Sequence, residues 1–164
     1  MFKMDFKFDA LQLDSDAYTK AIDAATIDQM YESARAFLRA TLARIPQDTS
    51  MAAGSFLNLG KAINEIVPLH PKSFGKRYYD GATRLPKNAQ SGARLSAREE
   101  EIFVSRGHVH SFEFFSAVRH LKLLDPTRWH ATEAGIAAFL ADFNRNIGSK
   151  IPPIDKFIRR KRVA

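Results

Sequence analysis

Cysteine is missing altogether and tryptophan occurs once in 164 residues. The first absence excludes a disulfide framework, thiolate zinc sites and cysteine nucleophiles in one step. No stretch approaches the ~18 consecutive apolar residues that a membrane span requires. Residues 1–9 place Lys3, Asp5, Lys7 and Asp9 between the apolar residues and so lack the uninterrupted apolar run of a signal peptide. A non-exported chain without a membrane partner is the expectation. Phosphate-cradling loops are missing too: Gly54 and Gly60 are followed by Lys61 and then Ala62, where a hydroxyl is needed. Neither Ser111 nor Ser116 sits in a Gly-x-Ser-x-Gly elbow. No nucleophile, base and oxyanion donor can be named together, so a non-enzymatic protein without a cofactor is expected.

Two weaker chemical signals carry little. His108 and His110, two apart on an expected strand, share a face, but no third ligand stands at a metal-binding spacing, and they read as surface or interface histidines. Glu99, Glu100 and Glu101 are consecutive, so they cannot all converge on one ion and read as a solvated or intersubunit face. No metal site is expected.

What is present is positive charge, unevenly spread. The net charge is +7, yet residues 1–33 hold three bases and seven acids, residues 34–98 eleven and three, residues 99–125 three and five, and residues 126–164 eight and three. Surfaces of alternating sign suit contact with complementary surfaces, other copies of the chain included, as well as contact with nucleic acid.

The pattern predicts a mixed α+β fold: an antiparallel sheet packed by two to three helices, in a single domain over residues 1–154, with a basic tail over 155–164. A chain of this length buries roughly two-thirds of its unfolded surface without staples. Phe2, Met4, Phe6 and Phe8 alternate with charged residues, a strand pattern. Residues 14–45 show helical spacing, capped at Asp14, Ser15 or Asp16, with a second capping box at Thr26 that allows a shorter helix instead. Pro46 ends it. A small-residue helix follows over 50–64, with Phe56, Leu59 and Ile63 as its buried stripe. Residues 99–124 read as strands with a hairpin break at Arg106-Gly107. Trp129, Ile136, Phe139 or Leu140, Phe143 and Ile147 mark a last amphipathic helix, expected to stop at Gly148 in a left-handed cap.

Glycine and proline gather instead in residues 68–98, at Pro68, Pro71, Gly75, Gly81, Pro86 and Gly92, among many bases. This reads as a long basic loop or arm, the best candidate interaction element. Its interaction residues are Lys72, Lys76, Arg77, Tyr78, Tyr79, Arg84 and Lys87, where charge and rings can meet phosphates and bases. A second basic cluster, Arg159, Arg160, Lys161 and Arg162, lies near the end of the chain.

The stretch Arg44-Ile-Pro-Gln-Asp-Thr-Ser-Met-Ala-Ala-Gly-Ser-Phe-Leu-Asn-Leu-Gly60 resembles the neck and tail-completion (head–tail joining) proteins of long-tailed bacteriophages. The second half of the chain carries the same resemblance in Phe112-Glu-Phe-Phe-Ser-Ala-Val-Arg-His120, Leu124-Asp-Pro126, Trp129, Gly135 and Phe139. Together these segments span about half of the chain, and one position departs: Ser50 stands where the glycine of a Thr-Gly turn is expected. The resemblance implies an α/β domain assembling into a ring, a hexamer by analogy, in the virion neck. The protein would be made in the host cytoplasm. Its partners would be further copies of itself, the neighbouring head-closure or connector and tail-tube proteins, and DNA passing through the lumen. Tail completion, tail terminator and head closure are not separated by the residues. The alternative from another class is a small basic nucleic-acid-binding protein.

Overall fold

Helix α1 (Ser15–Leu42) is 28 residues long, about 42 Å at 1.5 Å per residue, and the rest of the chain is arranged along it. The computed structural model describes residues 10–45, 50–69 and 87–161, so the expected strand over residues 2–8 lies outside the described residues. Asp14 caps α1 by accepting from the Ala17 amide at 3.1 Å, with Asp16 in the first turn and Arg39 in the last, the order the helix dipole favours. The helix does not restart at Thr26. That hydroxyl instead donates to the Ile22 carbonyl, 2.9 Å away, a bond a helix interior accommodates. Its apolar stripe of Met30, Ala34, Phe37, Leu38 and Leu42 is buried.

Helix α2 (Met51–Gly54) and helix α3 (Leu57–Ala62) replace the one helix expected over 50–64. Ser55 donates its hydroxyl to the Ala52 carbonyl at 2.7 Å, and Phe56 turns out of helical angles to enter the core. The expected stripe holds: Phe56, Leu59 and Ile63 are all buried. Helix α4 (Lys87–Arg94) corrects the expected loop, since the last third of residues 68–98 is ordered structure. Gly54 and Gly92 explain it. A Cβ on Gly54 would stand 2.5 Å from the Ala89 backbone, and one on Gly92 would overlap the Met51 carbonyl, so the α2 and α4 backbones touch directly. The glycine that reads as a breaker in sequence is a contact surface in space. Asn58 of α3 adds a clamp, donating to the Ala93 and Ala97 carbonyls at 3.1 and 3.0 Å.

After the short helix α5 (Glu99–Ile102), strands β2 (Phe103–Arg106) and β3 (Val109–Phe112) form the expected hairpin, turned by Gly107 at φ +62°. The turn needs that left-handed angle, which glycine takes without a steric penalty. Residues 113–118 are not strand, and helix α6 (Arg119–Leu124) follows. Phe103 stacks on Tyr31 with ring centroids 4.0 Å apart, and Phe112 meets Phe37 edge-on at 5.3 Å, which lays the hairpin on α1.

A π-helical turn, Asp125–Trp129, leads into helix α7 (Ala131–Lys150), which runs antiparallel along α1. Gly135 abuts Phe37 and Thr41, Asp142 accepts from Gln29 and Ser33 at 3.0 and 2.9 Å, and Lys150 pairs with Asp28. Gly148 is not a left-handed cap; the helix passes through it to Lys150. Pro152 is the stop, because Ile151 before it is forced to extended angles, φ −67° and ψ 120°.

A 3₁₀ turn, Ile154–Phe157, precedes strand β4 (Ile158–Lys161), which pairs antiparallel with β1 (Ala10–Leu13). The segment expected as a free basic tail is therefore, up to Lys161, half of a ribbon. The fold is α+β, as the pattern predicts. Among the described residues the strands make two separate two-stranded ribbons rather than one sheet, and helices supply most of the core.

One local strain stands out. Ser50 is buried with φ 57°, in the left-handed region, and its hydroxyl has no partner among the described residues. Left-handed angles cost an L-residue roughly 1–2 kcal/mol, part of which a glycine returns through its larger unfolded-state freedom. Ser50→Gly is expected to raise the unfolding free energy by about 1 kcal/mol, read as a higher urea midpoint. An unchanged or lower midpoint contradicts this account of the turn.

Candidate functional site

The basic residues singled out in sequence do not converge among the described residues. Lys72, Lys76, Arg77, Tyr78, Tyr79, Arg84 and Arg162 lie outside them. Lys87 is exposed at the first position of α4. Arg159 sits on β4 and donates to Asp14 at 3.1 Å, so it helps close the ribbon onto the start of α1. Arg160 and Lys161 are neighbours on the same strand. Two further bases, Arg35 and Arg39, are drawn into the fold by Glu32 and Glu65, and Arg35 also donates to the Ile63 carbonyl.

The two histidines are brought together, by a residue the sequence did not flag. Asp23 of α1 accepts from both rings: its Oδ2 lies 2.6 Å from His108 Nδ1 and its Oδ1 3.3 Å from His110 Nε2. His110 Nδ1 also meets Ser105 Oγ at 2.9 Å. Ser105 and His110 are direct partners in the β2–β3 register, so this contact follows from the hairpin itself. Among the described residues no group of three or more His, Asp or Glu side chains is arranged to hold a metal ion. The arrangement pins the hairpin to α1. The hydrogen bond from His108 is the largest influence holding the Asp23 carboxyl below its ordinary value of 3.8; burial opposes it, and His110 adds to it.

That shift has a definite sign. A carboxyl whose folded pKa is depressed adds stability that is fully present above its unfolded value and lost as pH falls through the folded one. The melting temperature of wild type should exceed that of Asp23→Asn at pH values above 3.8, with the gap closing on further acidification. A gap independent of pH across that range contradicts it.

Beside this cluster an apolar groove of about 490 Å³ runs between α1, β3 and α7. Met30, Phe37, His110, Phe112, Phe139 and Phe143 line it. The rings of Phe112, Phe139 and Phe143 stack in a row, at 5.1 and 6.0 Å with planes 6° apart in each pair. Ile136 and Leu140, one turn apart on α7, are each 51% exposed on its rim. Elsewhere Leu11 on the ribbon is 68% exposed, and Ile66, Val109 and Phe115 are exposed as well. Sequence reading found Ile136, Leu140 and Phe143 only as the stripe of an amphipathic helix. The usable signal is that this stripe is wider than one neighbouring helix covers. Among the described residues no helix is long and apolar enough to cross a membrane.

Compared with protein-family models, with curated proteins and with solved structures, the chain matches none.

Proposed function

We propose that the chain is a structural virion protein of a long-tailed bacteriophage. It forms a ring at the head–tail junction, as a tail-completion or tail-terminator component that joins the tail to the capsid connector and lets DNA pass. The observation that carries the reading is the backbone of Ser50. The resemblance calls for a Thr-Gly turn at this point of the Arg-Ile-Pro…Ser-Phe-Leu motif, and Ser50 holds φ 57° there, the angle a glycine would supply. A left-handed angle at this position is what a Thr-Gly turn would need, and that supports the reading. Apolar surface at Leu11, Phe115, Ile136 and Leu140 also supports it, since ring subunits leave on the monomer what their neighbours cover. The Arg39–Glu65 and Lys150–Asp28 ion pairs and the stacked Phe112, Phe139 and Phe143 rings join separate elements, chemistry that suits contact.

The direct test is removal of the gene from the phage that carries it. Electron micrographs of the lysate should show DNA-filled heads and separate, complete tails. Normal joined virions would overturn the reading.

A further inference from the structure

Strand pairing and one carboxylate set a serine, a histidine and an aspartate in a hydrogen-bonded line. The backbone bond from Glu113 to the Ile102 carbonyl fixes the alternation of the β2–β3 ladder. It puts Ser105 and His110 at a non-hydrogen-bonded pair, where facing side chains stand closest. Ser105 Oγ accordingly lies 2.9 Å from His110 Nδ1, and His110 Nε2 lies 3.3 Å from Asp23 Oδ1. Ser105 is exposed, whereas the His110 side chain is only 6% exposed, so a buried base faces an accessible hydroxyl. Sequence reading named no such set because Asp23 stands 87 residues from His110.

The acceptor count decides where the hydrogens are. An ionised carboxylate only accepts, and Asp23 is held toward that form chiefly by the hydrogen bond from His108. Neutral His110 must then carry its hydrogen on Nε2, which leaves Nδ1 bare and turned to Ser105, whose hydroxyl donates to it. That is the tautomer a general base needs. His108 donates to the other Asp23 oxygen at 2.6 Å and so helps to orient the carboxylate.

The Ser105 amide points away from β3, so ladder pairing does not use it, and a nucleophile's own amide is a donor of the kind that serves an oxyanion. Ile27, Tyr31, Phe103 and Val104 join Ser105 and His110 in lining a cavity of about 80 Å³. With a water taking about 30 Å³, this is room for an acetyl or propionyl group and not for a long chain. His110 also lines the larger apolar groove.

We propose that Ser105, His110 and Asp23 form an acyl-transfer site that hydrolyses esters of short acyl groups. Ser105 Oγ bonds to the acyl carbon while its proton passes to His110 Nδ1. The bond from that carbon to the alcohol oxygen breaks, and the alcohol leaves with the proton. Water, deprotonated by the same nitrogen, then releases the carboxylic acid and restores the serine. Asp23 is a positioning residue that acts through His110. The site is independent of the ring reading, and either stands if the other fails.

The test gives the full-length protein p-nitrophenyl acetate and, separately, a fluorophosphonate probe that labels activated serines. Release of p-nitrophenolate should begin with a burst, and mass spectrometry should find the acetyl and the phosphonate on Ser105. The octanoate ester should turn over at least ~10-fold more slowly. Ser105→Ala changes an exposed side chain, so it should keep a melting temperature close to wild type while losing ~100-fold or more of the rate, with a similar loss in His110→Gln. Asp23→Asn should lower kcat with KM unchanged, and Asp23→Glu should recover part of it. Activity that persists in Ser105→Ala, probe on other side chains with Ser105 unmodified, or octanoate turned over as fast as acetate would overturn the site. So would a wild-type protein that neither takes the probe nor releases p-nitrophenolate faster than buffer.

Discussion

Phe37→Ala should lower the unfolding free energy by about 3–5 kcal/mol. Phe37 is 3% exposed in the middle of α1 and lies within ring contact of Phe56, Phe112 and Phe114 at 6.4, 5.3 and 6.1 Å. These partners come from the α2–α3 bend, strand β3 and the segment after it, and Gly135 of α7 closes the other side. One side chain thus ties the α2–α3 bend, β3 with the segment after it, and α7 to the middle of α1. Truncating it removes the transfer energy of the ring and leaves a hole that rigid helices cannot collapse. A domain with ~5–15 kcal/mol in total would lose a large share, and melting should fall by roughly 10 °C. Phe37→Leu, which keeps much of the volume, should cost less. A loss under about 1 kcal/mol for the alanine variant, in the range of an ordinary surface change, would mean that the core is organised elsewhere.

Asp125→Ala is the second large effect, at about 2–4 kcal/mol. The Asp125 carboxylate is 7% exposed and accepts from the Ala131 amide at 2.7 Å and from the Thr132 amide at 3.1 Å, the first two amides of α7. Its own carbonyl accepts from His130 at 2.7 Å, which holds the π turn that aims the side chain. Helix starts leave four amides without helical partners, and here a residue outside the helix serves two of them and places a negative charge at the positive end of the dipole. Alanine would strand those donors where water reaches poorly. Asp125→Asn keeps one acceptor oxygen and should lose less. Hydrogen exchange at Ala131 and Thr132 reads the effect directly: both amides should exchange much faster in the alanine variant, while amides in the middle of α1 follow only the global loss. Unchanged protection at those two positions would remove Asp125 from this role.

The elements legible in the sequence were those with one strong local signal. The Asp14 cap and the apolar stripe of α1 are local, and the structure keeps both. Arg106-Gly107 marks a hairpin because the turn chemistry lies in the turn itself. Misreadings arise where a residue acts on something distant. Gly92 reads as a breaker until Met51 and Ser55 are seen against it, and Gly148 reads as a cap although Pro152 sets the helix end. The bases Arg159, Arg160 and Lys161 read as a tail, since their strand partner, β1, lies about 150 residues away in the sequence. The site followed the same rule. His108 and His110 were visible as a pair, but Asp23, which joins them, is 85 residues from the first of them. The groove and the ribbon face could not be seen before packing decided which apolar residues stay uncovered.

The measurement that tests the ring reading most directly is the mass of the purified chain by light scattering on a sizing column, at low and moderate salt, with negative-stain images of any large species. The account predicts a closed ring of about six 18.5 kDa subunits, formed alone or on addition of tail tubes or connectors. A strict monomer that ignores those partners, and instead shifts labelled DNA with an affinity falling steeply as salt rises, would contradict it and assign the chain to nucleic-acid binding.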